Sequence, residues 1–205
     1  MTETSIYGKY GAYLPLILQQ LKAQIEQSAQ DYLAKYGCAL YEHLNTRLKT
    51  EDSIREKCAR KSLPPTPRAA LYDIKDAIGI RIVCSFIDDI YAIIARIRAL
   101  DGVTIVNEKD YIKKAKPNGY RSYHLILALE TPYEDVNGST PGRYFAELQL
   151  RTIAMDSWAA LEHQMKYKKN ISNQALIVAE LKRCADELAA CDVSMQTIRE
   201  LIRNS

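Results

Sequence analysis

The chain has 205 residues, 47% of them hydrophobic and 26% charged, with a formal net charge of +3. That length suits one domain with a true core and is short for two, and no run of about 18 apolar residues exists to cross a bilayer. Basic residues crowd two segments of this near-neutral chain, Arg47 to Arg68 and Lys109 to Arg121, which argues for a local anion site over a general nucleic-acid coat, or else for plain solvated faces.

The N-terminal "MTETSIYGKYGAYLP" has no basic segment followed by an apolar one and does not read as a signal peptide. Leu14, Leu18, Leu21, Ile25 and Tyr32 then recur at helical spacing and predict a helix over about 10–36, ended by Gly37. "ALYEHLNTRLK" predicts a short strand. "EDSIREKCARK" predicts a helix stopped by "LPPTP". "AIGIRIVCSF" is an apolar, β-branched run and predicts a central strand. "DDIYAIIARIRAL" predicts a helix with Asp88 or Asp89 at its N-cap. "GVTIVNEKDYI" is a strand, followed by a basic loop and by "KPNGYRSYHLIL", a turn that enters another strand. After a Gly/Pro/Asn loop over 131–142, "RYFAELQLRT" alternates: Tyr144, Ala146, Leu148 and Leu150 share one face, and Phe145, Glu147, Gln149 and Arg151 the other. "IAMDSWAALEHQMKYKK" is amphipathic, with Trp158 and Leu161 read as core. The last helix, about 173–203, carries Ile177, Leu181, Cys184, Leu188, Cys191, Met195, Ile198 and Ile202 at 4-3 spacing. The sum is an α+β fold. A mixed sheet of about five strands is packed by helices and flanked by the two terminal helices, in a single domain over 1–205. The five cysteines include no C-x-x-C pair and fit a reducing, cytoplasmic setting better than disulfides or zinc.

Candidate chemistry concentrates in two basic stretches and two acids. Glu147 falls mid-strand, where a buried carboxylate is costly unless it is paired or bound to a cation. It either faces a cleft or pairs with Arg151 or Arg121. Asp76 stands just before the strand "AIGIRIVC" and is either a second oxygen ligand for a hard cation or a turn residue. Arg81, inside that strand, offers a planar guanidinium to a phosphate or a base, or else pairs with Asp76 or Glu147. Arg47 and Lys49 lie on the preceding strand. Ser53, Lys57 and Arg60 or Lys61 share one helical face, suited to a row of phosphates or to plain solvation. There is no phosphate loop of the Walker kind and no zinc spacing, and none of the histidines (43, 124, 163) is followed by Asp.

In series, "TRLK", "YDIKDAIGIRIVC", "KPNGYRSYHLIL", "AELQLRTIAMDSWAALEH" and "KYK" resemble the (p)ppGpp synthetases of RelA/SpoT type, in that family's order over about 40–170. The length, without a hydrolase or regulatory domain, resembles the stand-alone small alarmone synthetases, and no hydrolase activity is expected. The resemblance implies an α+β fold with a mixed five-stranded sheet of nucleotidyltransferase-like type and a catalytic core over about 40–170, and transfer of the β,γ-pyrophosphate of ATP to the ribose 3′-OH of GDP or GTP. It implies that Arg47 and Arg81 sandwich the adenine. Lys49, Ser53, Lys57 and one of Arg60 or Lys61 would bind ATP phosphates. Asp76 and Glu147 would hold Mg²⁺, with Glu147 taking the 3′-OH proton. Tyr120 would stack on the guanine, while Lys116, Arg121 and His124 contact phosphates or orient the acceptor. Gln149 and His163 take supporting roles, and Asp156 is assigned none. The heptads of the terminal helices either pack within the chain or form an oligomer interface, and the resemblance implies a homotetramer with an allosteric site for an alarmone or RNA. The alternatives are a relative that pyrophosphorylates tRNA 3′ ends or adenosine nucleotides, using the basic stretch 109–121, and a non-catalytic nucleotide- or RNA-binding module.

Overall fold

The computed structural model describes residues 5–167 and 173–204. A 3₁₀ turn (Gly8–Tyr13) leads into α1 (Leu14–Tyr36), which ends as expected at Gly37, whose φ of 72° is left-handed. Then follow β1 (His43–Leu48), α2 (Glu51–Arg60), a π-helical turn (Ala69–Asp73), β2 (Ile78–Cys84), α3 (Ile87–Ile97), β3 (Val103–Asp110), β4 (Tyr123–Thr131), β5 (Gly142–Thr152), α4 (Ile153–Tyr167) and α5 (Gln174–Arg203). The five strands form one sheet in the order β1-β2-β5-β4-β3, with β2 and β5 parallel and every other pair antiparallel.

The expected alternation sorts the two faces. Ile78, Ile80, Ile82, Tyr144, Ala146, Leu148, Leu150, Leu125 and Leu127 are all buried in the main core, together with Leu14, Ile17 and Leu21 of α1 and Ile90, Ile93 and Ile94 of α3. The opposite face carries the polar residues. Because the register aligns them, Asn45, Arg81, Gln149 and His124 stand in one row across β1, β2, β5 and β4. Arg47, Gly79, Glu147 and Ile126 stand in the next. A period of two thus delivers side chains from four separate strands to one surface.

Three expectations need correction. The N-cap of α3 is Phe86, with extended backbone, so Asp88 and Asp89 lie in the first turn, where a carboxylate still meets the positive end of the helix. Leu161 is 46% exposed while Trp158 is buried, since α4 turns only part of its apolar surface inward. The 4-3 stripe of α5 also divides. Leu181, Cys184 and Leu188 pack around Trp158 and Ala185, but Met195, Ile198 and Ile202 stand at 51%, 50% and 71% exposure. The "KYK" side chains lie outside the described residues.

α5 is fastened along its length. Trp158 Nε1 donates to the Leu181 carbonyl at 2.8 Å, and Thr152 Oγ1 donates to buried Asp192 at 2.7 Å. Arg199 pairs with Asp89 at 2.6 Å and lies over the Phe86 ring. α5 also presses on the loop before β4. A Cβ on Gly119, whose φ is 90°, would come within 2.5 Å of the Ala185 Cβ. Only glycine meets both that contact and that backbone angle.

Candidate active site

The polar face of the sheet holds an open cleft whose lining includes Asn45, Arg47, Gly79, Arg81, Glu147 and Gln149. Gly79 matters to its shape. It pairs with Arg47, and a Cβ there would stand 3.3 Å from Arg47 Cγ and 3.4 Å from its Nε. Without that Cβ the Arg47 side chain lies flat across β2. Arg81, two residues on, shares the face. Its Nη1 is 3.5 Å from Asp156 Oδ1, and its Nε is buried with no hydrogen-bond partner. Arg81 therefore pairs with neither Asp76 nor Glu147. Burial and the nearby Arg151 lower the affinity of its guanidinium for its proton.

At the β1–α2 end, Lys49 of the β1 exit and Lys57 of α2 both ion-pair with Oδ2 of Asp76. Asp76 is 6% exposed, and its Oδ1 is buried without any partner. Thr50 caps α2 with its hydroxyl, which Ser53 N–H reaches at 3.4 Å, so Ser53 stands exposed in the first helical turn. Arg60 and Lys61 are exposed at the far end of α2.

On the β4 side the residues interlock. Glu147 pairs with neither Arg151 nor Arg121. It accepts from Gln149 Nε2 at 3.1 Å and lies 3.8 Å from His124 Nδ1. His124 Nε2 is 2.8 Å from the Tyr120 hydroxyl. That hydroxyl accepts from Arg151 Nη2 at 2.9 Å, and the same nitrogen donates to Gln149 Oε1 at 3.0 Å. Arg151 Nη1 donates to Asp156 Oδ1 at 2.8 Å. Burial first, and then the charges of Arg151, Lys116 and Lys109, push the His124 pKa down to about 4. At neutral pH it is an uncharged imidazole that orients neighbours rather than a cation for a phosphate.

Tyr120 is half-buried against the edges of Tyr111, His124 and Trp158, and Lys116 Nζ stands 4.7 Å from its ring centre. A flat ligand would meet this ring by displacing Lys116. Arg121 turns elsewhere: its Nη1 donates to the Ile112 carbonyl at 3.0 Å and its Nη2 is 3.9 Å from Asp186 of α5. His163 is exposed on α4 and outside the cleft lining. The structure thus brings Arg47, Arg81, Glu147 and Gln149 to one cleft, with Tyr120 and His124 joined to it by hydrogen bonds. Lys49, Lys57 and Asp76 form a second cluster. Arg151 and Asp156 escaped the sequence reading as site members. The signal was present in Arg151, a cation on the same strand face as Glu147 and Gln149.

Lysines and arginines flanking two carboxylates, beside an aromatic ring held by its hydroxyl, make a site for a polyphosphate and a flat ring. A family described as "Region found in RelA / SpoT proteins" matches residues 46–172, and the chain belongs to that family. It is 39% identical over 184 residues to GTP pyrophosphokinase YwaC of Bacillus subtilis, covering 89% of this chain and 85% of that protein. It is 32% identical to GTP pyrophosphokinase YjbM of the same organism, over 89% and 83% of the two chains. The crystal structure of small alarmone synthetase 1 from Bacillus subtilis bound to its product pppGpp superposes with a TM-score of 0.80. It is 30% identical and covers 95% of this chain and 97% of that one.

Proposed function

We propose that this protein is a GTP pyrophosphokinase that makes ppGpp or pppGpp from ATP and GDP or GTP. The observation that carries the reading is the position of Glu147. It sits in one register row with Arg47 and Gly79, and it is linked through Gln149 to the network that holds Tyr120. Donor and acceptor subsites therefore meet at one carboxylate.

In this mechanism Arg47 and Arg81 take the adenine between their guanidinium planes. Lys49, Lys57, Ser53 and one of Arg60 or Lys61 take the phosphates, the two lysines turning from Asp76 to do so. Tyr120 stacks on the guanine, with Lys116 moving to the acceptor phosphates. Neutral His124 and Gln149 orient Glu147. Glu147 removes the 3′-OH proton as the 3′ oxygen bonds to the β-phosphorus. The bond from that phosphorus to the oxygen bridging it to the α-phosphate breaks, and AMP leaves with that oxygen. Mg²⁺ fits the pair Asp76 and Glu147, since both offer hard carboxylate oxygens and Asp76 Oδ1 is buried without a partner. When bound it would neutralise charge on the phosphates. Among the described residues no group of three or more potential metal-ligating side chains forms. Water and phosphate oxygens would complete its shell.

The reading extends to a cytoplasmic homotetramer joined through the terminal helices and regulated by an alarmone or RNA. The apolar surface left exposed on α5 and at Leu33 and Tyr36 of α1 supports the assembly. No helix among the described residues is long and apolar enough to cross a membrane.

The test is incubation with ATP, Mg²⁺ and either GDP or GTP. The expected result is one AMP released per 3′-pyrophosphorylated guanosine nucleotide. Label passing from ATP to bulk tRNA or to AMP-series acceptors instead, or no product at all, overturns the reading.

A further inference from the structure

Arg151 is the one lysine or arginine among the buried residues described, at 6% exposure. It touches neither the cleft surface nor Glu147. Its Nε is buried without a hydrogen-bond partner, but its two Nη nitrogens donate to three different parts of the site: the Tyr120 hydroxyl, the Gln149 amide oxygen and Asp156. Asp156 in turn faces Arg81 on the donor side.

Hydrogen-bond polarity follows from these contacts. An arginine only donates, so Gln149 must present Oε1 to Arg151, and its NH₂ must then face Glu147 Oε2 at 3.1 Å. Were the amide reversed, an oxygen would face the carboxylate and an NH₂ would face the guanidinium. The same logic runs through Tyr120. Its oxygen accepts from Arg151, and the acceptor in reach of its own proton is His124 Nε2 at 2.8 Å. A histidine that accepts at Nε2 carries its proton on Nδ1, the nitrogen 3.8 Å from Glu147 Oε1. Both groups that approach Glu147 thus present a hydrogen to it, and one guanidinium sets both.

We propose that Arg151 is the positioning residue of this active site. It fixes the direction of the Gln149 amide and the tautomer of His124, and so aligns the carboxylate with the Tyr120 platform. The inference rests on the roles of Glu147 and Tyr120 given above.

Arg151→Lys keeps the charge, but an ammonium cannot hold three acceptors in the planar fork. It is expected to lower kcat by about 30-fold and raise the acceptor KM about fivefold while ATP affinity stays within about twofold, since about 1.4 kcal/mol of lost alignment is a factor of ten. Nitrogen-detected NMR of the unmodified protein at neutral pH should find His124 protonated at Nδ1. Wild-type kcat and acceptor KM in Arg151→Lys overturn the proposal. So does a parallel loss of ATP affinity, acceptor affinity and folded protein, and so does an Nε2–H histidine. If the lysine variant does not fold, Tyr120→Phe and Gln149→Met decide, because each leaves the guanidinium in place and removes one acceptor. Their effects on kcat should miss multiplicativity by about threefold or more, as for groups sharing a partner, and simple multiplication overturns the proposal. Glu147→Gln, run alongside, separates the two readings. Undiminished turnover there defeats the role of the carboxylate, whatever Arg151 does.

Discussion

The two polar clusters beside the cleft, one at its β1–α2 end and one at its β4–β5 end, are built differently. At the β1–α2 end, two lysines on flexible stems share one oxygen of Asp76, Ser53 is exposed, and Arg60 and Lys61 reach into solvent. At the β4–β5 end, Tyr120, His124, Gln149, Arg151 and Asp156 hold one another in a half-buried network, and α5 packs on the loop that carries Tyr120. On the proposed reading the first end works as a set of point charges whose partners can be exchanged for phosphate oxygens. The second works by alignment, because hydrogen bonds in a sheltered site fix direction as well as distance. A polyphosphate of high charge needs attraction and tolerates adjustment. A flat base and a reacting hydroxyl need a defined pose.

The largest effect tests the point where the two ends meet. Glu147→Gln is expected to cut turnover about a thousandfold, within the range for losing a general base, with ATP and acceptor still binding by calorimetry. A tenfold loss or less would move the proton transfer elsewhere. Tyr120→Ala should separate the ends. The acceptor KM rises about tenfold or more, as expected from about 1–3 kcal/mol of base stacking, while ATP binding holds within about twofold. An equal loss of both affinities would mean that the ends are not distinct.

A smaller effect comes from the packing of α5 on the loop before β4. Gly119→Ala forces a Cβ onto Ala185 at a backbone angle that L side chains rarely adopt, and should destabilise the fold by about 2–3 kcal/mol in denaturant titration. It should loosen acceptor binding and spare the lysine end. The smallest lies under α5. Burial lifts the Asp192 carboxyl above its ordinary range, against the pull of the Thr152 hydroxyl and Arg121. The folded protein then binds that proton to higher pH than the unfolded chain does. Ionisation near neutrality costs stability, and the cost disappears as pH falls toward the carboxylate range. Asp192→Asn should raise the melting temperature at neutral pH and leave it nearly unchanged in acid. The opposite trend would show that the charge on Asp192 favours the docked helix.

Much of this was legible beforehand. Alternation in "RYFAELQLRT" separates Leu148 and Leu150 from Glu147 and Gln149 without any structure, and Gly37 marks the end of α1. Pairing was not legible. Glu147 had Arg151 and Arg121 as candidate partners and took Gln149 and His124 instead, because sheet register, not distance along the chain, chooses a neighbour. Arg121 and Tyr120 are adjacent in sequence, yet one ties the loop to α5 and the other faces His124. The stripe of α5 is continuous in sequence and divided in space, since its first half meets Trp158 and much of its second half meets solvent.

By itself the sequence determined which residues form strands and helices, which strand face is polar, and which side chains carry charge. Those follow from period and composition, which are local properties. Tertiary structure alone decided that the polar faces of β1, β2, β5 and β4 form one surface. It alone set Asp76 between two lysines and gave a buried arginine command of two hydrogen-bond directions. These are consequences of strand order and register, where residues from about 45 to about 190 come within a few ångströms of one another.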